Sequence, residues 1–213
     1  MADAREQPDD DADLRPPMEV GQRFSVKSLR GSLYEAVLLS KGEAGGGLYV
    51  RMDDGRVARL ESERLDWISF TKLKDDGRGL LHPGDQLYVV GPKGPVQGEL
   101  LLPIKETVVI RPAEGAVVRI PREQVMEVDL LSKSSDVKAG DRILARSSSG
   151  NEYRGLVKER TPDGYQVKLR VGGDARLRLA KLDLSSIRMA IPIPLASLSA
   201  PKAKTAEPKS GAS

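Results

Sequence analysis

The stretch "GYQVKLRV", residues 164–171, alternates apolar and polar side chains without a break after its glycine. Tyr165, Val167, Leu169 and Val171 fall on one side, and Gln166, Lys168 and Arg170 on the other. A period of two marks a β-strand with one buried face. The pattern recurs in "GLYVRM" from Gly47 and in "TVVIRP" from Thr107. Each of these is followed by a second alternating segment, "DARLRL", "RVARL" or "AVVRI". A polar turn and a last apolar segment then close the run, as in "AKLDLSSIRM", "ESERLDWISF" and "PREQVMEVDLL". No stretch shows the apolar stripe of an amphipathic helix.

These segments belong to a threefold repeat. The copies open as "GQRFSVKSLRGSLYEAVL" from Gly21, "GDQLYVVGPKGPVQGELL" from Gly84 and "GDRILARSSSGNEYRGLV" from Gly140. Ten residues after each opening glycine stands another, at Gly31, Gly94 and Gly150, and three residues further on come Tyr34, Gln97 and Tyr153. Short strands separated by Gly, Pro, Ser and Asp turns predict an all-β chain. A small one-faced sheet must curl on itself or pack on another. Five strands per copy, with a helical turn at "ESER" or "LAK" before the last, predict three tandem SH3-like barrels. The expected boundaries are 18–70, 80–131 and 137–189, with polar linkers at 72–78 and 133–138. An acidic disordered tail is expected at 1–17 and a Pro/Ala/Lys-rich one at 190–213. Within the second, "AIPIPLASL" (190–198) is too rich in proline for a helix. It reads either as an extended strand added to a barrel edge or as a docking peptide.

Composition narrows the chemistry. Hydrophobic residues make up 39% and charged residues 31% of the 213, as in a folded soluble chain. Cysteine is absent, which removes disulfides, thiol nucleophiles and thiolate metal sites and fits a reducing compartment. The acidic, apolar-poor N-terminus is unlike a signal peptide, so the expected location is cytoplasmic, with no membrane partner. The net charge of +3 is unevenly spread. Residues 1–17 carry −4, 18–70 balance, 80–131 carry −2, and 140–189 hold eleven bases against six acids. The basic character belongs to the third copy.

With its Gly-Asp opening, Gly turn before a Tyr, and closing "LAKLDL", the third copy resembles the Tudor branch of the SH3-like barrels. The first copy resembles it nearly as well. The second, with "GPKGPVQG" and no Tyr, is similar to KOW-type barrels. The Tudor resemblance implies an aromatic cage for methylated lysine or arginine. Tyr34 and Tyr153 match one cage position. The others hold Lys27, Val90 or Arg146 in the first strand, and Leu169 and Gly172 in the middle hairpin. One aromatic wall makes no cage, and the two tyrosines are expected as half-buried strand residues.

Other motifs carry less. His82 in "LLHPGD" has no second histidine or cysteine for zinc and no triad partner, so it is expected as a turn residue. "GEAGGG" (42–47) leads straight into a strand and lacks the Gly-Lys-Ser/Thr of a phosphate loop. Arg142 and Arg146 resemble the Arg-x-x-x-Arg pair of PilZ domains, small barrels that bind cyclic di-GMP, and Glu159, Thr161 and Gly164 resemble the second PilZ motif. The same residues also read as a type I turn on Thr161-Pro162-Asp163-Gly164.

The heaviest physical signal is a basic face. Lys168 and Arg170 share one side of their strand, and Arg176 and Arg178 alternate with Leu177 and Leu179 on the next. Clustered cations need solvent or an anionic partner. Arg51 and Arg59 of the balanced first copy are expected to be exposed counterparts of lesser effect. The sequence thus predicts a non-catalytic scaffold, without cofactor or metal, that binds an extended anionic protein or nucleic-acid segment. A PilZ-like nucleotide sensor and a KOW-like nucleic-acid or ribosome-associated factor are the alternatives.

Overall fold

The computed structural model describes residues 18–42, 47–61, 79–133 and 137–198, and the backbone alone of 65–72. The expected tail at 1–17, residues 199–213, and most of the two linkers and of "GEAGGG" lie outside the described residues.

The chain is all-β. Unit 1 comprises β1 (Arg23–Ser28), β2 (Leu33–Lys41), β3 (Leu48–Met52), β4 (Val57–Leu60) and β5 (Leu65–Lys72). Unit 2 comprises β6 (Gln86–Gly91), β7 (Gly94–Leu100), β8 (Thr107–Pro112), β9 (Val118–Pro121) and β10 (Glu127–Ser132). Unit 3 comprises β11 (Arg142–Ser147), β12 (Glu152–Thr161), β13 (Gly164–Leu169), β14 (Gly173–Arg178) and β15 (Leu182–Pro192). Single 3₁₀ turns at Arg122–Gln124 and Leu179–Lys181 precede the fifth strands of units 2 and 3. No described helix is long and apolar enough to cross a membrane.

In every unit the strands lie side by side in the order fourth, third, second, first, fifth. The first hairpin turns on Gly31, Gly94 or Gly150, each with φ between 84° and 106°, a backbone region that glycine enters without steric cost. That explains the glycine ten residues into each copy. Units 1 and 3 also share their irregularities. The β1·β5 register slips between Ser25 and Lys27, and β11·β15 slips at the corresponding Leu144 and Arg146. The β2·β3 and β12·β13 pairs slip at Leu38/Ser40 and Val157/Glu159.

The expectation of three separate barrels needs correction. Among the described residues no sheet closes on itself: unit 1 is an open five-stranded sheet, and units 2 and 3 form one sheet of ten strands. The cause is the length of β15, eleven residues. Its first part borders β11, and its end pairs antiparallel with β10, setting Met189 against Ser132 and Pro192 against Asp129. Residues 190–198, expected to begin a tail, are therefore part of the fold. Their apolar side chains Ile191, Ile193 and Leu198 are buried. Of the two readings of this segment, the added strand describes 190–192.

The largest core joins all three units. Leu39 and Tyr49 of unit 1 meet Leu87, Val89, Val108, Ile110 and Val128 of unit 2, Met189 and Ile191 of β15, and Ile193 just beyond it. Smaller cores lie inside unit 1, around Phe24, Val26, Leu38 and Val50, and inside unit 3, around Ile143, Val157, Tyr165 and Val167. The alternation in β13 holds from Tyr165 through Leu169, but Val171 is 85% exposed. The strand has ended at Leu169, so the period no longer governs the side chain.

Candidate anion-binding faces

Each unit opens with a turn closed by its own side chain. Asp85 Oδ2 accepts the backbone N–H of His82 at 2.7 Å, and Asp141 Oδ2 accepts that of Lys138 at 2.7 Å. In unit 1 the corresponding Gln22 does the same for Glu19 at 3.1 Å. A side-chain acceptor three residues after its donor locks the turn. The Gly-Asp pair is thus a turn device first, and His82 takes part only through its backbone.

The aspartates also hold cations of unit 1. Arg51 on β3 makes a two-pronged contact with Asp85, Nη2 to Oδ2 at 2.7 Å and Nη1 to Oδ1 at 3.2 Å. Its Nη2 also donates to the Leu80 carbonyl at 3.2 Å. Arg59 on β4 donates to Asp141 Oδ1 at 2.7 Å, and the Tyr49 hydroxyl donates to the same oxygen. Arg51 is 7% exposed and Asp141 is fully buried. The expectation that Arg51 and Arg59 are exposed therefore fails. The outer face of unit 1 is covered by units 2 and 3, because its neighbours Val37, Leu39, Tyr49 and Val57 are apolar and join the shared core.

Strand register shows which residues of the other units occupy the same places. In unit 1 one row across the sheet reads Arg23, Val37, Arg51, Val57, and the next reads Ser40, Tyr49, Arg59. In unit 3 the matching rows are Arg142, Leu156, Lys168, Asp174 and Glu159, Gln166, Arg176. Lys168 and Arg176 stand where Arg51 and Arg59 stand, on the same diagonal. Both are exposed, and the residue corresponding to Leu39 is the exposed Lys158. In unit 2 the row reads Gln86, Glu99, Arg111. There Arg111 lines a groove of about 540 Å³ with Tyr88, Gln97 and Glu99, closed from unit 3 by Arg146 and Glu152, so its charges balance.

The four cations of the expected basic face are not equivalent. Lys168, Arg176 and Arg178 share the outer face of unit 3. Asp163 pairs with Arg176 at 2.8 Å and lies 3.9 Å from Arg178, and Lys158 pairs with Asp174 at 2.6 Å. Hydrogen bonds from Arg176 and Thr161 hold the Asp163 carboxyl below its usual range. Arg170, beyond the end of β13, turns instead to Glu127 of unit 2. Glu127 also receives Arg154 and lies 3.8 Å from Arg142. Arg154 reaches the fully buried Asp129 through Nε at 3.0 Å and lies over the Tyr88 ring, 4.5 Å from its centroid. Burial pushes the Asp129 carboxyl up, against the pull of Arg154. This ionic knot joins unit 2 to unit 3.

The residues suggested for a nucleotide are spread over three strands: Arg142 and Arg146 on β11, Glu159 and Thr161 at the end of β12, and Gly164 at the start of β13. Arg142 lies opposite Leu156, five positions before Thr161, and Arg146 lies opposite Glu152, nine positions before it. At strand spacing those separations are about 16 Å and about 30 Å. Arg146 pairs with Glu152 at 3.0 Å, and Thr161 donates to Asp163 at 3.0 Å in the β12–β13 turn. Gly164 has a packing reason, since a Cβ there would lie 1.9 Å from the Leu177 carbonyl oxygen. Tyr34 is 38% exposed, while Tyr153 is half-buried against the unit 3 core. Among the described residues no group of three His, Cys, Asp or Glu side chains could hold a metal.

Tyr49, Arg51 and Arg59 were missed as a docking set. The available signal was unit 1's apolarity on both faces: "AVLL" at 36–39 is continuous, as in a strand covered twice. No protein-family model matches the chain, and no curated protein sequence matches it.

Proposed function

We propose that this protein is a non-catalytic scaffold that captures an anionic segment on the outer face of unit 3, through Lys168 and Arg176 with Arg178 beside them. The supporting observation lies within the molecule. At the same two positions in unit 1, Arg51 and Arg59 grip carboxylates that belong to other units. Kinship with SH3-like barrels belongs to the same proposal, supported by the shared strand order and the short turn before the fifth strand. A chain without cysteine suits the reducing cytoplasm.

The test is capture of binding partners by the full chain and by K168E/R176E. Reversing exposed charges beside Asp163 and Asp174 costs little next to the buried cores, so the variant stays folded, which its melting curve checks. Its partners should be lost, and more of the wild-type complex should dissociate as salt rises. Equal capture by both proteins would reduce this face to a solvated surface.

A further inference from the structure

We infer that the unit 3 face is a receptor for the acidic turn of another protein, an aspartate that caps its own turn and offers its second oxygen outward. The inference rests on the capture reading above and gives the captured group a chemistry. In unit 1, Arg59 and Tyr49 converge on the second oxygen of one such aspartate, Asp141, while Arg51 takes both oxygens of another, Asp85, the turn-capping one included. In unit 3, Arg176 stands in place of Arg59, the Gln166 amide in place of the Tyr49 hydroxyl, and Lys168 in place of Arg51. Three donors in the same rows can receive two carboxylates in the same arrangement. The resident Asp163 and Asp174 are exposed, so their contacts exchange readily with an incoming acid.

Local charge favours a protein turn over nucleic acid. Lys158, Lys168, Arg176 and Arg178 are interleaved with Glu159, Asp163 and Asp174, which would repel a run of phosphates. Nor does the face offer an aromatic platform, since Tyr165 is buried in the unit 3 core. Among the described residues, the opening turns of a second copy cannot fill the face in the same way. Its Asp85 and Asp141 are already engaged, and unit 1 has the uncharged Gln22 at that position. The occupant is a different protein.

The probe is a cyclised peptide of sequence VKAGDR, copied from residues 137–142, titrated into the full chain while backbone amide resonances are followed. Its controls are the same peptide with asparagine for aspartate, and an oligothymidylate of roughly twelve nucleotides, within the reach of a single-strand binding surface. The aspartate peptide should move the amides of Gln166, Lys168 and Arg176. That response should vanish with the asparagine peptide and in K168E/R176E. Equal responses to both peptides would overturn the inference. So would a response of these amides to the oligonucleotide alone, though the face would then still be an anion receptor and the scaffold reading would stand. No response to any probe also overturns it, and partner capture by K168E/R176E then decides the scaffold reading by itself.

Discussion

In unit 1 the row Val37, Arg51, Val57 runs beneath the neighbouring units, whereas in unit 3 the row Leu156, Lys168, Asp174 ends in water. The central cations are equivalent, so charge does not separate the two fates. The residues around them do. Val37, Leu39, Tyr49 and Val57 bury apolar surface, and at roughly 25 cal/mol per Å² that burial provides the main driving force for docking. Arg51 and Arg59 then need partners, and the turn aspartates supply them. In unit 3 the corresponding surroundings are Leu156, Lys158, Gln166 and Asp174, too polar to drive burial without a partner. One arrangement of cations thus becomes an internal clamp or an exposed receptor according to its frame.

The sharpest way to break this comparison is to reverse both pairs of cations and measure urea unfolding. R51E/R59E places new carboxylates against Asp85 and Asp141 in buried surroundings. Breaking one buried pair costs about 3–5 kcal/mol, so this variant should be grossly destabilised or unfolded. K168E/R176E sets new carboxylates beside Asp174 and Asp163 on an exposed face and should cost no more than about 1–2 kcal/mol. Similar losses in the two variants would mean that the unit 1 contacts carry little of the fold.

Much of the strand pattern was legible because alternation and turn glycines are local. "TVVIRP" and "GYQVKL" coincide with β8 and β13, and "LAK" with the short turn before β15. The seam between β10 and β15 was legible only as one of two readings of residues 190–198, since edge pairing between distant segments leaves no spacing in the sequence that names the partner strand. Lys168 and Arg176 stand outward, as the alternation requires, because Tyr165 and Val167 fix the inward side. Period two cannot say what covers an outward face, and so Arg51 and Arg59 were misplaced. Arg170 was misplaced for a different reason: its strand stops one residue earlier.

A smaller effect sharpens the likeness between units 2 and 3. Gly98 and Gly155 occupy corresponding sites, where an added Cβ would lie 2.3 Å from the Arg111 carbonyl oxygen or 2.4 Å from that of Lys168. Both obstacles are backbone, and the neighbouring strand must shift to admit a methyl group. Gly155→Ala should cost about 1–3 kcal/mol, as overpacking does, and should move the Lys168 amide resonance. A neutral substitution without that shift would show that β12 and β13 separate easily.

The smallest effect concerns the ionic knot between units 2 and 3. Burial raises the folded-state Asp129 pKa above its ordinary 3.8. A carboxyl raised in this way favours the folded state most below its unfolded pKa, and that contribution is lost as pH rises through the folded value. Stability of the wild type relative to D129N should therefore fall as pH climbs from below 3.8 through the raised value. A difference independent of pH would place Asp129 in a less costly setting than its burial implies.

The shared use of β15 also bears on synthesis. A ribosome delivers unit 2 whole long before residue 192, yet until then β10 has a bare outer edge. The core beneath it still lacks Met189, Ile191 and Ile193. An unpaired strand edge beside an incomplete apolar core is the usual template for sticking to other nascent chains. Late-arriving residues 189–193 are thus the point at which the growing polypeptide ceases to be adhesive, and a messenger truncated upstream of them encodes an aggregation hazard rather than a smaller version of the protein.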